Sequence, residues 1–315
     1  MSSHARNLVN SEDPTVHMRY MNDETQKNAI KISVIIPCLN ASATIANQLT
    51  ALKRQNWTGN WEVIVSDNGS NDNTLSIIER YAIKLPNLHI VDASDRKGAA
   101  HARNVGAKAA NGDFLAFCDA DDEVATGWVK ALAEAFVGND FVASKFDSKK
   151  MNAPWIQKIR TNTQKDGVQK FSPFYFFHAG GSGMGIKRIL HEKIGGFDES
   201  MMELEDTDYC FRMGLAGVTL TFVPNAVVHV RYKDTLWGIY KQAFLWGKGN
   251  VKLYKRYRKF GMPQYDWKTG LYKWSRILRK PLWIRNRMDL GRWLWLLGWS
   301  SGRLAGCCKY NVFAP

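Results

Sequence analysis

Long apolar runs are missing from this sequence. The most apolar stretch, Trp293-Leu294-Trp295-Leu296-Leu297-Gly298-Trp299, is closed off by Arg292 and Arg303, with ten residues between them. A helix that spans a bilayer needs about 20 apolar residues, so no segment reads as a membrane span. Glycine loops for phosphate are missing too. No Gly-x-Gly-x-x-Gly follows the first apolar strand and there is no Walker A loop, which argues against a dinucleotide-binding Rossmann domain and a P-loop enzyme. Without such loops, a chain that binds phosphates needs a metal ion to neutralise much of their charge. Cysteine is sparse: Cys38, Cys118, Cys210, Cys307 and Cys308 are odd in number and form no Cys-x-x-Cys pair. This suits a reducing compartment better than a secreted disulfide framework. Cys38 and Cys118, in or beside apolar runs, read as small core residues. Internal repeats and low-complexity tracts are absent. Met1 to Asn28 is polar and has no apolar core segment, so it reads as a flexible tail and not as a signal peptide or anchor.

Acidic residues are scarce in one region only. Between Arg231 and Pro315 there are 19 Lys and Arg against 3 Asp and Glu, which leaves the first 230 residues at −2 of the total +14. The same quarter holds 8 of the 12 tryptophans. The shift divides the chain into a tail (1–29), a main region (30–230) and a basic, Trp-rich helical extension (231–315), parts with different jobs.

What the first region has in quantity is alternation. Lys31 to Pro37, Glu62 to Ser66, Leu88 to Val91 and Phe114 to Cys118 are short apolar strands. Helical stretches separate them: Ala43 to Leu52, a segment through Ile77 to Tyr81, and Ala99 to Ala110. Strand and helix in strict order predict right-handed crossovers and a mostly parallel central sheet flanked by helices. Beyond it, the pattern predicts a helix over Trp128 to Phe136 and strands at Phe141 to Ser144, Val218 to Val223 and Ala226 to Val230. Residues 147–178 show no clear pattern; if the chain is an enzyme with an acceptor substrate, as the resemblance given below implies, an acceptor-specific insertion is expected there. The glycines of His178-Ala179-Gly180-Gly181-Ser182-Gly183-Met184-Gly185 form either a flexible turn or a place where backbone approaches a ligand closely.

Carboxylates collect where the fourth strand ends, at Asp119, Asp121 and Asp122. Three so close together raise each other's pKa unless a cation neutralises them. The carboxyl ends of strands in an open α/β sheet are also where ligands bind. The cluster therefore reads as a seat for a hard divalent cation and a phosphate-bearing partner, against the plainer alternative of a solvated acidic turn.

The succession Val34-Ile35-Ile36-Pro37-Cys38-Leu39-Asn40, Val65-Ser66-Asp67-Asn68-Gly69-Ser70-Asn71-Asp72-Asn73-Thr74, Ala102-Arg103-Asn104-Val105-Gly106 and Gly112-Asp113 to Asp122 resembles family 2 glycosyltransferases with the GT-A (nucleotide-diphospho-sugar transferase) fold. The turn Gly195-Gly196-Phe197-Asp198-Glu199 and the helix start Glu205-Asp206-Thr207-Asp208 extend the resemblance to about residue 230. It implies a metal-dependent, inverting transfer of a sugar from a UDP-, GDP- or dTDP-linked donor to a hydroxyl of a saccharide or lipid-linked acceptor in cell-surface polysaccharide synthesis. By position, Asp67 would hold the nucleobase and Pro37 and Asn40 would lie along the nucleoside. Asp119 would meet the ribose or a water. Asp121 and His229 would ligate Mn²⁺ or Mg²⁺. Asp206 would be the general base, with Glu205 in reserve. Arg103 would either reach the diphosphate or pair with a loop carboxylate. Asp72 reads as a helix cap and Asp208 with Arg212 as an i, i+4 ion pair.

In the extension, Tyr232 to Phe260 has helical periodicity and a second basic aromatic stretch runs from Trp267 to Arg287. Tryptophan beside Lys and Arg suits an anionic membrane surface, which implies a cytoplasmic enzyme, peripheral on the inner face of the plasma membrane. The alternative is a helical subdomain packing its tryptophans on the core. A nucleotidyltransferase acting on a sugar phosphate is a competing enzyme reading, disfavoured by the missing phosphate loop. A nucleic-acid-binding protein is a further one. Carboxylates at the strand ends would repel a polyanion, so no nucleic acid is expected as partner.

Overall fold

The computed structural model describes residues 30–170, 176–263 and 267–314. The tail expected over 1–29 lies outside them. Strands β1 (Ile32–Cys38), β2 (Trp61–Asp67), β3 (Leu88–Asp92) and β4 (Phe114–Phe117) alternate with helices α1 (Ile45–Lys53), α2 (Thr74–Ala82) and α3 (Ala99–Ala109). Then come β5 (Glu123–Val124), α4 (Trp128–Phe136), β6 (Phe141–Asp147), α5 (Pro154–Gln157), β7 (Gln169–Lys170), β8 (Phe177–His178) and β9 (Met184–Lys187). Helices α6 (Arg188–Lys193) and α7 (Glu205–Leu215) precede β10 (Leu220–His229).

Eight strands form one sheet in the order β3-β2-β1-β4-β9-β6-β10-β5, and β7 pairs with β8 apart from it. The β1–β2, β1–β4, β2–β3 and β6–β10 pairings are parallel, while β9 runs antiparallel to both β4 and β6. The reason lies in β1: every residue but Pro37 is buried, because helices cover both faces. Val34 and Ile36 pack under α1, α2 and α4, whereas Ile35 belongs to the opposite core with Tyr209, Cys210 and Met213 of α7. Cys38 and Cys118 lie in the first of these cores as small apolar residues.

The two strands expected over Val218–Val230 are one. β10 runs through Pro224 and Asn225 with a register shift against β6 between Val223 and Val227. Proline cannot donate to a ladder, and a bulge absorbs it without ending the strand.

Helices α8 (Leu236–Tyr257), α9 (Trp267–Arg279) and α10 (Arg287–Tyr310) complete the chain. They pack directly on the first region. Fully buried Asp208 of α7 binds Arg212 at 2.9 Å, as the i, i+4 spacing predicts, and also Arg256 at 2.6 Å and the Tyr257 hydroxyl at 2.8 Å. Arg256 reaches Asp198 as well, at 2.6 Å. Helices α8 and α10 run parallel with their backbones in contact through glycines. A Cβ on Gly298 would meet the Tyr240 carbonyl oxygen, one on Gly302 that of Phe244, and one on Gly306 that of Lys248. The three are spaced by four residues and so lie on one helix face.

Candidate active site

The carboxyl edge of the sheet holds the charged residues. Asp67 ends β2, and Asp119, Asp121 and Asp122 follow β4 on the other side of β1. One carboxylate oxygen from each of the latter three lies within 4.8 Å of the others. Asp122 is buried, and desolvation together with Asp119 and Asp121 pushes its pKa well above the carboxylate range. The backbone N–H of Arg231 donates to it at 2.8 Å. Asp121 faces the Lys233 ammonium at 3.3 Å.

Asp119 leans the other way, to Arg103. This arginine is 4% exposed and forks between Asp119 Oδ1 at 2.8 Å and Glu205 Oε1 at 2.7 Å, so its pKa is raised despite burial. Of the two partners expected for Arg103, carboxylates are the ones it meets among the described residues. Its neighbour Asn104 clamps the Gly-Gly-Phe-Asp-Glu turn: its amide donates to the Phe197 carbonyl and to Glu199, and its oxygen accepts from Phe197 N–H. Glu199 also takes Arg96 at 2.6 Å and His101 at 3.0 Å. Helix α3 thus fastens α7 to the end of β4, which explains why its Ala-Arg-Asn segment accompanies the two acidic motifs.

Asp206, at the start of α7, accepts from Thr207 N–H at 2.7 Å and Gly181 N–H at 2.9 Å. Burial raises its pKa and that of Glu205, with Arg103 opposing in both cases. Leu204, just before it, has φ of 59°, a left-handed conformation that a branched residue adopts only under constraint. The glycine run meets protein rather than open space. A Cβ on Gly181 would lie 2.7 Å from the Arg103 guanidinium, so glycine here lets Arg103 pass and its own N–H reach Asp206.

These groups face one cavity of about 1110 Å³, lined by Arg103, Asp119, Asp121, Asp122, Glu205 and Asp206 and also by residues of α8, α9 and α10. Pro37, Asn40 and Asp67 share the carboxyl edge but do not line it. Asn40 ties two loops together: its N–H donates to Ser70 and its side-chain oxygen accepts from Asn71 N–H. Asp67 Oδ2 accepts from Gly69 and Ser70 N–H, while its Oδ1 is buried without a partner among the described residues. Asp72 caps its own turn, accepting from Ser42 and Thr74, and its pKa falls to about 2.

His229 does not join the acidic cluster. Its Nδ1 lies 2.7 Å from Asp147 Oδ2, and it faces a smaller cavity beside Asn47, Glu123 and Lys150. The physical reason is the period of an extended chain. Val230 lines the large cavity, so the residue before it points away. The groups that do reach the cluster are Arg231 and Lys233, which the sequence reading passed over. It also passed over Arg160, in the unpatterned 147–178 segment. The Arg160 guanidinium lies 4.5 Å from the ring centre of Tyr232, 4.6 Å from Trp246 and 4.7 Å from Trp295. No local signal marks that cage, because its members come from four separate stretches of chain.

The family model described as glycosyl transferase family 2 matches residues 33–195, and that of glycosyl transferase family group 2 matches residues 121–310. Glycosyltransferase AglE of Haloferax volcanii is 26% identical over 230 residues, 71% of this chain and 74% of that protein. Succinoglycan biosynthesis protein ExoA of Rhizobium meliloti is 25% identical over 286 residues, 83% of this chain and 84% of that protein. Other relatives match less of their length: glycosyltransferase YibD of Escherichia coli is 35% identical over 125 residues, 34% of that protein. Among solved structures, mannosyltransferase PcManGT from Pyrobaculum calidifontis, in complex with GDP-Man and Mn²⁺, matches 94% of this chain and 84% of its own with a TM-score of 0.58 at 19% identity. S. aureus TarS 1-349 in complex with UDP-GlcNAc gives 0.54 at 16% identity, over 91% of this chain and 93% of that one. At such identities the likeness shows the fold, which is GT-A.

Proposed function

The chain belongs to glycosyl transferase family 2, and from that premise we propose that it is a metal-dependent, inverting enzyme using a UDP-, GDP- or dTDP-linked sugar. The acceptor is a saccharide or lipid-linked glycan of cell-surface polysaccharide synthesis. The observation that carries the reading is the gathering of Asp119, Asp121 and Asp122 in one cavity with Asp206. Asp119 and Asp121 crowd buried Asp122 and raise its pKa, a repulsion that a cation would relieve, and hard oxygen donors alone suit Mg²⁺ or Mn²⁺. The fit is therefore good, with Asp121 and its two neighbours as the holding groups and His229 left to Asp147. When bound, such an ion stabilises the charge that grows on a diphosphate leaving group.

The chain's own residues supply the rest. Asp206 takes the proton from the acceptor hydroxyl as that oxygen attacks the anomeric carbon and the bond to the diphosphate breaks. Its raised pKa strengthens it as a base, and Gly181 N–H fixes its direction. Glu205, occupied by Arg103, is the reserve. Asp67, with one oxygen unsatisfied, is placed to receive a nucleobase N–H on the sheet edge, and Pro37 and Asn40 border that position. Arg103 bridges Asp119 and Glu205 and so sets where each carboxylate stands. Residues 30–230 form the catalytic unit, and 231–315 the extension packed on it.

The extension also supports attachment to an anionic surface at the inner face of the plasma membrane. No helix among the described residues is long and apolar enough to cross a membrane. Yet Trp267, Leu271 and Leu278 of α9, with Leu282 and Trp283 after it, are exposed amid Arg279 and Lys280. An exposed apolar face bordered by basic residues suits a membrane interface.

Release of nucleoside diphosphate from a panel of nucleotide sugars, with Mn²⁺ or with EDTA, tests the reading. Turnover of one donor that stops with EDTA and with Asp121→Ala is expected. Turnover indifferent to both would remove the metal from the mechanism, and no turnover of any donor would remove the reaction.

A further inference from the structure

The part of the cavity lined by α8, α9 and α10 is unlike a surface that merely encloses a sugar. Helices α8, α9 and α10 contribute Lys241, Lys273 and Arg276 to it and not one carboxylate. Arg160 stands in front of that wall, on the stretch that follows α5. It is ringed by Tyr232, Trp246 and Trp295, and its Nη1 donates to the Gln242 side-chain oxygen at 3.1 Å. Among the described residues no Asp or Glu pairs with it. Desolvation without a counter-ion lowers its pKa to about 10, whereas Arg103 in the same cavity is shifted up by its two carboxylates. Aromatic faces hold a guanidinium in place but do not neutralise it. A planar cation immobilised on three rings and facing a cavity presents its remaining N–H groups to an anion, and its fork matches phosphate.

We infer that the α8–α10 side of the cavity is a subsite for the phosphate of a phosphorylated acceptor, with Arg160 as its principal ligand and Lys241 adding charge. The inference rests on the glycosyltransferase reading for the word acceptor, but the phosphate site stands on its own geometry. Several positive charges on one wall fit a dianionic phosphate better than a single carboxylate. Trp299, on the same wall, offers an apolar face to what the phosphate carries. The phosphate comes either from a soluble sugar phosphate or from a polyprenyl carrier, and the two share this chemistry.

Calorimetric titration of the full chain decides the matter, with three probes: glucose 1-phosphate, farnesyl phosphate and neutral methyl glucoside. The donor side is first saturated with Mn²⁺ and whichever nucleoside diphosphate raises the melting temperature. If none does, the donor reading fails and the titrations are run without it. Binding of either phosphorylated probe at least tenfold tighter than methyl glucoside is expected, and the tighter of the two identifies the source. Arg160→Gln should weaken that probe at least tenfold and leave nucleotide binding unchanged, and Arg160→Lys should restore part of the loss. Should Arg160→Gln fail to fold, the preference of the wild-type chain for phosphate over the neutral glucoside remains the test. Equal or absent binding of phosphorylated and neutral probes overturns the inference. So does a folded Arg160→Gln that binds them as the wild type does.

Discussion

Arg103 and Arg160 line the same cavity and are held in opposite ways. Arg103 is fully committed, forked between Asp119 and Glu205. Arg160 has three aromatic faces and a neutral amide. The first arrangement has its counter-charges within the chain, two acidic groups to one guanidinium, with Asp121, Asp122 and Asp206 lining the cavity beside them. The second is incomplete, and its missing charge is negative. One wall is thus prepared for cations and protons, the other for an anion, and the two needs belong to two different substrates. A buried charge whose partner is absent from the chain says more about ligands than one whose partner is present.

The comparison can be broken most severely at the carboxylate wall. Asp206→Asn is expected to lower turnover by about 10²- to 10⁴-fold, the range for loss of a general base. Donor affinity, followed by calorimetry, should hardly change. Near-wild-type turnover would transfer the role to Glu205. Because burial lifts the Asp206 pKa, the acid limb of the turnover–pH profile should lie above the ordinary aspartate value of 3.8, with activity rising as pH rises through it.

Separating the two walls physically is the next largest effect. Asp208→Ala leaves Arg212 and Arg256 without their shared buried partner, a loss of about 3–5 kcal/mol. Denaturant unfolding should show the drop, and a change under about 1 kcal/mol would mean that the extension is held elsewhere. Gly302→Ala drives a methyl into the Phe244 carbonyl and should cost about 1–3 kcal/mol by the same measurement, as overpacking does.

At the basic surface, co-sedimentation of the wild-type chain should need anionic vesicles and weaken with salt. Trp283→Ser should reduce pelleting several-fold, and equal pelleting on neutral vesicles would argue against an electrostatic contact. The smallest effect concerns the clamp on α3. His101, between Asp95 and Glu199, has its pKa raised above 6.5 by those carboxylates, against the opposing pull of burial. Its contribution is complete below pH 6.5 and is lost as pH rises through the raised value. The melting temperature should therefore fall more between pH 6 and 9 in the wild type than in His101→Gln, within a few degrees.

The alternating half of the fold was legible because parallel strands covered on both faces read as continuous apolar runs. β1, β2 and β4 appear within a residue or so of where their runs placed them. The carboxylates were legible because their chemistry is local. His229 lies against Asp147 because of the face it takes on an extended segment, which an argument from residue type ignores. Val228 and Val230 on either side would have given the answer. Two strands were expected over Val218–Val230 where the chain makes one strand with a bulge at Pro224. Arg160 could not be found from its neighbours in sequence, since the cage exists only once α8 and α10 have folded against β10. The tryptophan question had a readable clue that went unused. Gly298, Gly302 and Gly306 recur at helical spacing beside Trp295 and Trp299, and such a row marks a face that touches another helix.

That row bears on how the gene can drift. Every missense change one base away from a glycine codon, whether to alanine, serine, valine, cysteine, arginine, tryptophan or an acid, adds a Cβ. At Gly302 no such change fits between the two helices, and at Gly298 and Gly306 each meets a carbonyl oxygen of α8. None of the three glycines lines the cavity. A change at any of these codons therefore shifts the acceptor wall relative to the carboxylates through a residue that lines no part of the cavity.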